Sequence, residues 1–417
     1  MSSRKIQPGV RASWIYSTRL HVILYSLLLV ATPFIFLQSF LVEKISQVSS
    51  TRIALLGRDL PLMPILALVV VVAGVVWIRK RITRYLLAAI AVAVLMDALV
   101  QQIADYYFGH NFYDLQQNWH YIAYGIFAYM MYRDLRPRGV STASIMWLTY
   151  LIALGFSVFD ETFQRYLSSR VFDIGDNAKD LWGALMGIVI VHVGGPDGPE
   201  ICRNWRPLLH RRLRDYFAHP VSSLLVMFLF ALLLVCNGSL LSDFENLFPA
   251  VALTVIEFVV IFVLVHVTQF RPGRYAVAAL LVIAAGAQAW AYAKYRSENI
   301  VYNAYGLTVY KGMPIPFYDL LIFPDGSFRP VDKKHYFNSR DQRFFLRFET
   351  DILLIGKGTP GLGGQGFDET GPYHFVFNPY TRKATQIIIL PTEDACRVFN
   401  RLKEEGKNVL FVLHNTC

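Results

Sequence analysis

Polar and ionisable side chains are concentrated at the ends of three consecutive apolar stretches of this sequence. His120 lies at the start of the first stretch and is followed by Tyr124, and the second stretch ends in Asp160 and Glu161. Gln164 is three residues after Glu161, so the two share a helix face. Carboxyl and imidazole groups at a partly desolvated surface can hold a proton, so this pattern is typical of general acid or base chemistry.

The third stretch is preceded by a charged loop and begins with further carboxylates and two glycines. The residues in question are Arg170, Asp173, Asp176, Asp180, Gly183 and Gly187. The last four recur at spacings of four, three and four residues, which places them on one helix face. Glycines there would let a neighbouring helix approach closely. Asp97 and Gln101, four residues apart in an earlier stretch, could face the same group from the side.

These residues define a candidate pocket. Its members are His120, Tyr124, Asp160, Glu161, Gln164, Arg170, Asp176 and Asp180, with His120, Glu161 and Asp176 as candidate catalytic groups. Three interpretations stay open: a functional pocket, a metal site, and a structural network in which carboxylates cap a helix and an arginine fixes the loop. No metal ligands and no cofactor are assigned, and the pattern leaves open whether the protein is an enzyme.

The elements that position these residues are long and apolar. Hydrophobic residues make up 54% of the 417 residues and charged residues 17%, against about a quarter in an ordinary soluble domain. Crossing a bilayer takes roughly 20 residues, and nine stretches approach that length. They are about 20–42, 60–78, 84–104, 117–132, 143–163, 177–194, 220–240, 248–268 and 275–293. The first lacks a small-residue cleavage site, which predicts a retained anchor.

The sequence therefore predicts a polytopic α-helical membrane protein of about nine transmembrane helices with a C-terminal small α/β domain. The predicted parts are N-terminal helices (1–83), a core that carries the polar residues (84–194), additional helices (195–295) and the globular domain (296–417). Glu257, alone in the eighth stretch, could equally be protonated and buried.

The net charge of +10 reports orientation. Assigning loops alternately to two sides puts 18 Lys and Arg residues on one side and 6 on the other. Because basic residues accumulate in cytoplasmic loops, the N-terminus is predicted to be cytoplasmic. With nine spans, the polar residues and the C-terminal domain lie outside. Nucleic-acid binding would need a basic stripe interleaved with aromatic residues, and the sequence has none. The expected partner is therefore the lipid bilayer, and no nucleic acid is expected to bind.

The stretch from about Gln116 to Gly187 resembles the VanZ-like membrane proteins, and we take the related core as about 84–194. The matching residues are His120 and Tyr124, Arg133 and Arg136 in a basic loop, Glu161 and Gln164, Arg170 and Asp176, and Gly183 and Gly187. Two positions depart from the family pattern, Gln117 in place of Lys and Asp180 in place of Asn. The resemblance implies a bacterial inner-membrane protein of the cell envelope, related to lipoglycopeptide resistance, and implies no particular reaction.

The C-terminal part shows the alternation of a small α/β domain. Strands are predicted at 319–323, 351–355, 386–390 and 408–413, with a helix at 393–405. Thr392 is predicted to cap that helix and Gly406 to end it. The last strand, helix and strand imply a parallel pair with a crossover. The glycines from Gly356 to Gly361 fit G-x-G-x-x-G, but no apolar helix follows, so a flexible surface loop is favoured over a dinucleotide site.

Residues of about 300–417 resemble the adipogenesis-associated and complex I assembly factor domain family. The matching segments are Leu321–Gly326, Leu354–Gly358, Pro391–Cys396 and Leu413–Cys417. The family usually has Thr where Lys357 stands, and the resemblance implies no catalytic residues. Cys396 and Asn400 are predicted to pack and cap. Cys396 and Cys417 could pair if the domain is external, although relatives work in reducing compartments.

Two functions follow as hypotheses. In the first, an outward-facing polar pocket binds, and could process, a lipid-linked or cell-wall ligand. In the second, the protein is a membrane-anchored assembly or scaffold protein that recruits a partner complex through residues 296–417. A transporter ranks third, because the sequence has no inverted repeat and no pair of broken helices.

Overall fold

The computed structural model describes residues 22, 26, 51–55, 58–79, 82–104, 106–108, 115–164, 172–203, 212–242, 247–359, 361–367, 371 and 373–416. The chain forms two compact units. The first comprises Met1–Asp97, Asn111–Phe172 and Asp176–Ala231, and the second comprises Ala98–His110, Asp173–Gly175 and Leu232–Cys417. The predicted boundaries after residues 83, 194 and 295 stay predictions.

The first unit is mainly helical. A hairpin of β1 (Arg52–Leu55) and β2 (Arg58–Pro61) leads into its helices. These are α1 (Leu62–Ile78), α2 (Arg84–Ile103), α3 (Leu115–Leu135), α4 (Thr142–Gln164), α5 (Ile174–Ile188), α6 (Gly198–Arg203), α7 (Leu213–Ala218) and α8 (Pro220–Leu241). A π-helical turn, Val189–Val193, continues α5. The last turns of α2 and α8 and the first residues of α5 belong to the second unit.

Five helices in the described part of the chain are long and apolar enough to cross a membrane. They are α2, α4, α8, α9 (Leu247–Val267) and α10 (Arg271–Tyr295), which match five of the predicted spans. Three other predicted spans fall on α1, of 17 residues, on α3, and on α5, of 15 residues. Both α3 and α5 carry polar site residues, which lowers their hydropathy. The span at 20–42 lies outside the described residues except for positions 22 and 26.

Helices α9 and α10 have surfaces suited to lipid. In the most apolar segment of α9, only 11% of the residues are buried. In the corresponding segment of α10, no residue is buried. Large apolar side chains such as Val259 and Ile283 are exposed on them. These surfaces are compatible with contact to a lipid bilayer.

Helices α3 and α5 come into backbone contact at two glycines. A Cβ atom on Gly183 would lie 2.7 Å from Cα of Tyr121, and one on Gly187 would lie 2.8 Å from Cα of Gly125. No larger residue fits without moving a backbone. The predicted role of these glycines, to let a neighbouring helix approach, is confirmed, and the neighbour is the helix that carries His120.

The second unit contains the C-terminal domain, whose main sheet has six strands in the described residues. Its order is β7 (Phe328–Val331), β6 (Asp319–Ile322), β11 (Val409–Leu413), β8 (Ile352–Gly356), β10 (Lys383–Leu390) and β9 (Tyr373–Asn378). A smaller antiparallel sheet joins β3 (Ile300–Ala304), β4 (Leu307–Tyr310) and β5 (Met313–Pro316). Helices α11 (Ser339–Leu346) and α12 (Thr392–Glu404) complete the domain.

The crossover around α12 differs in one respect from the prediction. Strands β10 and β11 are parallel, but they do not pair with each other, because both pair with β8 between them.

Thr392 is the first residue of α12, and Pro391 occupies the N-cap position, so the predicted Thr392 cap is wrong. The hydroxyl of Thr392 instead accepts a hydrogen bond from the Gly358 N–H (2.7 Å) and donates one to the carbonyl of His414 (2.8 Å).

The glycine-rich segment after β8 is held in place by hydrogen bonds. Besides the bond from Gly358 to Thr392, the Lys357 N–H donates to the carbonyl of Leu390 and the Gly363 N–H donates to the carbonyl of Lys357. The next element among the described residues is β9, so no helix begins directly after this segment in that part of the chain. The bonds tie the loop to the neighbouring strand and helix.

The core of the C-terminal domain includes a residue from the segment after α2. Tyr107 is 1% exposed, and its ring contacts Phe337 and Phe345 at centroid distances of 5.7 and 5.3 Å. Arg329 lies over the neighbouring Tyr106 ring and donates a hydrogen bond to the carbonyl of Gln102. The end of α2 is thereby fixed to the sheet domain within the second unit.

Replacing Gly183 or Gly187 with alanine is expected to destabilise the α3–α5 contact by about 1–3 kcal/mol, because each new methyl group would meet backbone atoms. Gly155→Ala in α4 is the matched control, since a Cβ atom there meets nothing within 4 Å. Thermal unfolding of the full chain in detergent measures the difference. Equal melting temperatures for all three variants would contradict the close contact.

Candidate functional site

The site is centred on His120 in the first turns of α3. Its Nδ1 lies 2.7 Å from Oδ1 of Asp180, and its Nε2 lies 3.6 Å from Oδ1 of Asp176. Both carboxylates project from α5, one turn apart, so the close approach of α3 and α5 brings them to opposite sides of the imidazole ring. Lys179 Nζ lies 3.3 Å from Oδ1 of Asp176 and adds a positive charge.

Helix α4 is the third helix of the site and contributes Ser157. Its hydroxyl donates to Oδ2 of Asp180 (2.7 Å) and accepts from Nδ2 of Asn177 (2.7 Å). Ser157 and Asn177 were not among the predicted site residues. A signal for Ser157 exists, because it precedes Glu161 by four residues and therefore shares the helix face of that predicted residue.

Of the other predicted residues, three are buried side chains, one has a side chain that is not described, and one lies outside the described residues. Tyr124 is buried one turn after His120, within electrostatic reach of Asp180 and Asp160. Asp160 and Glu161 are buried near the end of α4, with exposed fractions of 7% and 2%. Gln164 is the last residue of α4, and nothing of its side chain is described. Arg170 lies outside the described residues. The structure thus brings together His120, Asp176 and Asp180.

The His120 cluster, defined as His120, Ser157, Asp176, Asn177, Lys179 and Asp180, is partly open. The side chains of His120 and Asp176 are 18% and 20% exposed, whereas that of Asp180 is 1% exposed. The imidazole ring and Asp176 are therefore partly accessible, while Asp180 contacts the ring from the buried side. Buried carboxylates need such hydrogen-bond partners to remain stable.

A largely apolar pocket of about 500 Å³ lies between α2, α3 and α5. Asn118 and Tyr121 belong to its wall and flank His120 in sequence, and Gly125 and Gly187 line it further along the helices. Asp97 also lines this pocket. It was predicted, together with Gln101, to face the polar cluster from the side. Gln101 belongs to the second unit.

The described residues contain no group of three or more His, Cys, Asp or Glu side chains arranged to hold a metal ion. Around His120, Asp180 accepts a hydrogen bond from Ser157, and Asp176 accepts one from Lys179. Side chains of these types can bind hydroxyl or amino groups and can move a proton.

A second polar group lies at the other ends of the same helices and was missed in the sequence. Asp197 is bound by Arg136 (2.5 Å), His192 (3.3 Å) and the Thr142 hydroxyl (3.3 Å). The His192 ring is buried against Tyr132, with centroids 5.0 Å apart. The end of α3, the start of α4 and the segment after α5 meet here. Because these segments are far apart in the sequence, the spacing of residues within one segment does not predict their contact.

Glu257, predicted to be isolated, has a partner. The amide of Asn237 donates to Oε2 of Glu257 at 2.8 Å and to the Thr254 hydroxyl at 3.2 Å. The Tyr318 hydroxyl of the C-terminal domain donates to Oδ1 of Asn237 at 3.2 Å. This chain of polar contacts joins α8, α9 and the sheet domain within the second unit.

The C-terminal domain contains a buried ionic group at the carboxyl ends of its parallel strands. Asp319 and His414 are 0% and 1% exposed, and Asp319 Oδ2 lies 2.8 Å from His414 Nδ1. Lys333 Nζ lies 3.6 Å from Asp319 Oδ1, which also accepts from the Asn415 N–H (2.8 Å). Desolvation by burial opposes ionisation, but Lys333 and His414 outweigh it and lower the pKa of Asp319 from its ordinary value.

The residues predicted to pack and cap in α12 do so. Cys396 is 5% exposed, and burial raises the pKa of its thiol to about 12, so it is a poor nucleophile. The Asn400 side chain accepts from the N–H of Ile300 and donates to its carbonyl, each at 2.9 Å. This pair of bonds attaches the small sheet to α12. Cys417 lies outside the described residues, so its pairing with Cys396 stays a prediction.

Comparison with known proteins agrees with part of the sequence resemblance. Residues 12–194 match the VanZ/LLP1 family model, so the similarity extends N-terminal to the predicted core at 84–194. No curated protein matches the chain. A solved structure named MT938 is 20% identical, covers 29% of this chain and 99% of its own, and has a TM-score of 0.23, which supports no argument. The family resemblance of residues 300–417 has no support from these comparisons.

The Asp319 group gives the C-terminal domain a pH-dependent stability. Because the pKa of Asp319 is lower in the folded than in the unfolded state, its stabilising contribution is present at neutral pH and is lost as the pH falls through the folded-state value. Asp319→Asn is expected to cost about 3 kcal/mol at neutral pH, since it leaves Lys333 and His414 without their carboxylate. Hydrogen exchange of β6 and β11 amides in the full chain, corrected for intrinsic rates, measures both effects. Protection in β6 and β11 that is insensitive to acid and to the substitution would contradict this role.

Proposed function

We propose that the protein is a VanZ-like membrane protein of the cell envelope, whose His120 cluster faces outward and binds the headgroup of a lipid-linked or cell-wall ligand. The observation that carries the proposal is His120 held between Asp180 and Asp176 at 2.7 and 3.6 Å in a partly exposed position. The match of residues 12–194 to the VanZ/LLP1 family supports a membrane role of this kind.

The donors and acceptors of the cluster suit a hydroxylated or aminated headgroup such as a sugar. Carboxylate oxygens of Asp176 accept hydrogen bonds from hydroxyl and amino groups, and Lys179 can donate to a phosphate or carbonyl oxygen. The apolar pocket between α2, α3 and α5 offers about 500 Å³ for part of the hydrocarbon chain. If the ligand is also processed, His120 and Glu161 are the groups that would move a proton.

His120→Ala and Glu161→Gln are expected to weaken binding strongly. The first removes the centre of the cluster, and the second removes the carboxyl group of a buried residue on the helix face that carries Ser157. The measurement is labelling of the full chain in nanodiscs by a photoactivatable polyisoprenyl-phosphate sugar, with susceptibility of expressing bacteria to a lipoglycopeptide as a second readout. Labelling is expected to fall at least about tenfold, which corresponds to a loss of about 1.4 kcal/mol of binding free energy.

The matched control is Asp134→Asn. Asp134 is also a buried acid of α3, but it pairs with Arg138 at the other end of the helix, 2.8 Å away. This variant should keep wild-type labelling. If His120→Ala and Glu161→Gln insert normally and also keep wild-type labelling, the pocket is not a ligand site.

We extend the proposal to nine spans, a cytoplasmic N-terminus and an external C-terminal domain in the bacterial inner membrane. Contacts within the second unit are compatible with this count. Gln102 at the end of α2 and Asn237 near the end of α8 both bond to the sheet domain, and α10 leads directly into it. The ends of these three helices therefore share one side of the membrane, so an odd number of crossings separates α2 from α8. Either α4 crosses alone, or α3, α4 and α5 all cross, as proposed here.

The side of the C-terminal domain is measured by labelling Cys417 in intact cells with a membrane-impermeant maleimide, after treatment with a membrane-impermeant reductant that opens any Cys396–Cys417 disulfide. The external orientation predicts labelling without permeabilisation, and Cys417→Ser identifies the signal of this thiol among the four cysteines. Labelling that requires permeabilisation would place the domain in the cytoplasm and remove one span from the count.

The second candidate function is assembly or scaffolding through residues 296–417, as the resemblance to the complex I assembly factor domain family implies. The observation that favours it is a set of exposed aromatic side chains around the small sheet, namely Tyr302, Tyr305 and Phe317. Exposed apolar patches of this kind are common at protein contacts. For a scaffold, His120→Ala and Glu161→Gln would leave function intact, which separates the two proposals.

A further inference from the structure

Strand β9 exposes a row of aromatic side chains at the edge of the main sheet. Tyr373, Phe375 and Phe377 alternate along it and are 58%, 69% and 67% exposed. Their register partners on β10 are Ile388, Gln386 and Ala384, so the row lies on the sheet face that carries Ile388 and α12. Within the described residues, β9 is the last strand of the sheet and pairs only with β10, so its other edge carries the backbone groups of an edge strand.

The hairpin that carries this row is held rigidly. Asn378 is 0% exposed, and its amide donates to the carbonyl of Leu346 at 2.8 Å. Its Oδ1 accepts the N–H groups of Tyr380 and Thr381, which fixes the turn into β10. An anchored edge strand presents its aromatic row in one conformation, which lowers the entropic cost of binding a partner.

We infer that β9 pairs with β9 of a second copy of this chain, in antiparallel orientation about a two-fold axis at Phe375. The strand is self-complementary in that register. Phe375 would face its own counterpart, and Tyr373 would face Phe377 of the other copy, twice by symmetry. All aromatic side chains of the row would then form cross-strand pairs, and the two sheets would join into one.

The size of the contact fits a weak dimer that the membrane strengthens. Burying the exposed part of three aromatic side chains on each copy removes on the order of 800 Å² from water. Stable interfaces bury about 1,200 Å² or more in total. Confinement to one bilayer raises the effective concentration of the domains, which compensates for a small interface. The inference is independent of the ligand proposed for the His120 cluster.

Cysteine cross-linking in native membranes tests the register. Phe375→Cys places a thiol on the two-fold axis, where facing Cα atoms are about 5 Å apart and a disulfide can form. Tyr373→Cys places its two thiols about 13 Å apart along the strands, too far for a disulfide. Oxidation should therefore give dimers with Phe375→Cys at least about tenfold above Tyr373→Cys and wild type. No dimer with Phe375→Cys, or equal dimer with Tyr373→Cys, overturns the inference.

A charge substitution tests the stability of the proposed dimer. Phe375→Glu would bring two carboxylates together on the axis and should raise the dimer dissociation constant in liposomes at least about tenfold, measured by single-molecule photobleaching. Tyr302→Glu is the matched control, because it changes another exposed aromatic residue, on the small sheet, and should leave the dimer intact. Wild-type chain that stays monomeric at high density, or a dye on Phe375→Cys that reports burial in lipid in single-copy nanodiscs, would overturn the proposal.

Discussion

The backbone contact between α3 and α5 is the constraint on which the arrangement of the membrane core depends. At Gly183 and Gly187 the two helices approach to a distance that no side chain allows. Because Asp176 and Asp180 lie on the same face of α5 as these glycines, the contact sets their carboxylates against His120 of α3. A wider separation of the helices would break the contact of His120 with the buried Asp180, and breaking such a buried pair costs several kcal/mol.

The polar groups at the two ends of α3, α4 and α5 have different properties. Around Asp197, one buried carboxylate is bound by Arg136, His192 and the Thr142 hydroxyl, as expected of a network that fixes helix ends. Around His120, two carboxylates share one imidazole ring, with Lys179 beside them, and the ring is partly exposed. The proposed function rests on the His120 end because its imidazole ring and Asp176 are partly exposed, with side-chain exposures of 18% and 20%.

Local periodicity in the sequence was sufficient to predict the close approach of a helix at Gly183 and Gly187. The order of the spans grouped His120 with Asp176 and Asp180 but did not predict that they pair. Local periodicity also predicted α12 and the parallel strands, whose apolar residues and turn signals are contiguous. It did not predict Ser157, although that residue shares a face with Glu161, and it placed the cap of α12 one residue too late. Asp197 with Arg136, Tyr107 in the sheet core, and Asn237 with Glu257 depend on contacts between distant segments, which no local pattern records.

The most direct measurement is a cryo-EM map of the full chain in nanodiscs made from bacterial envelope lipids, compared with the map of Asp180→Asn. If the His120 cluster binds a lipid-linked ligand, the wild-type map will show a headgroup in contact with His120 and Asp176 and a hydrocarbon chain in the pocket lined by Asn118 and Tyr121. The Asp180→Asn map will lack that density while α3 and α5 keep their contact. A wild-type map with only bilayer phospholipid beside these helices, and none at His120, would contradict the proposed function.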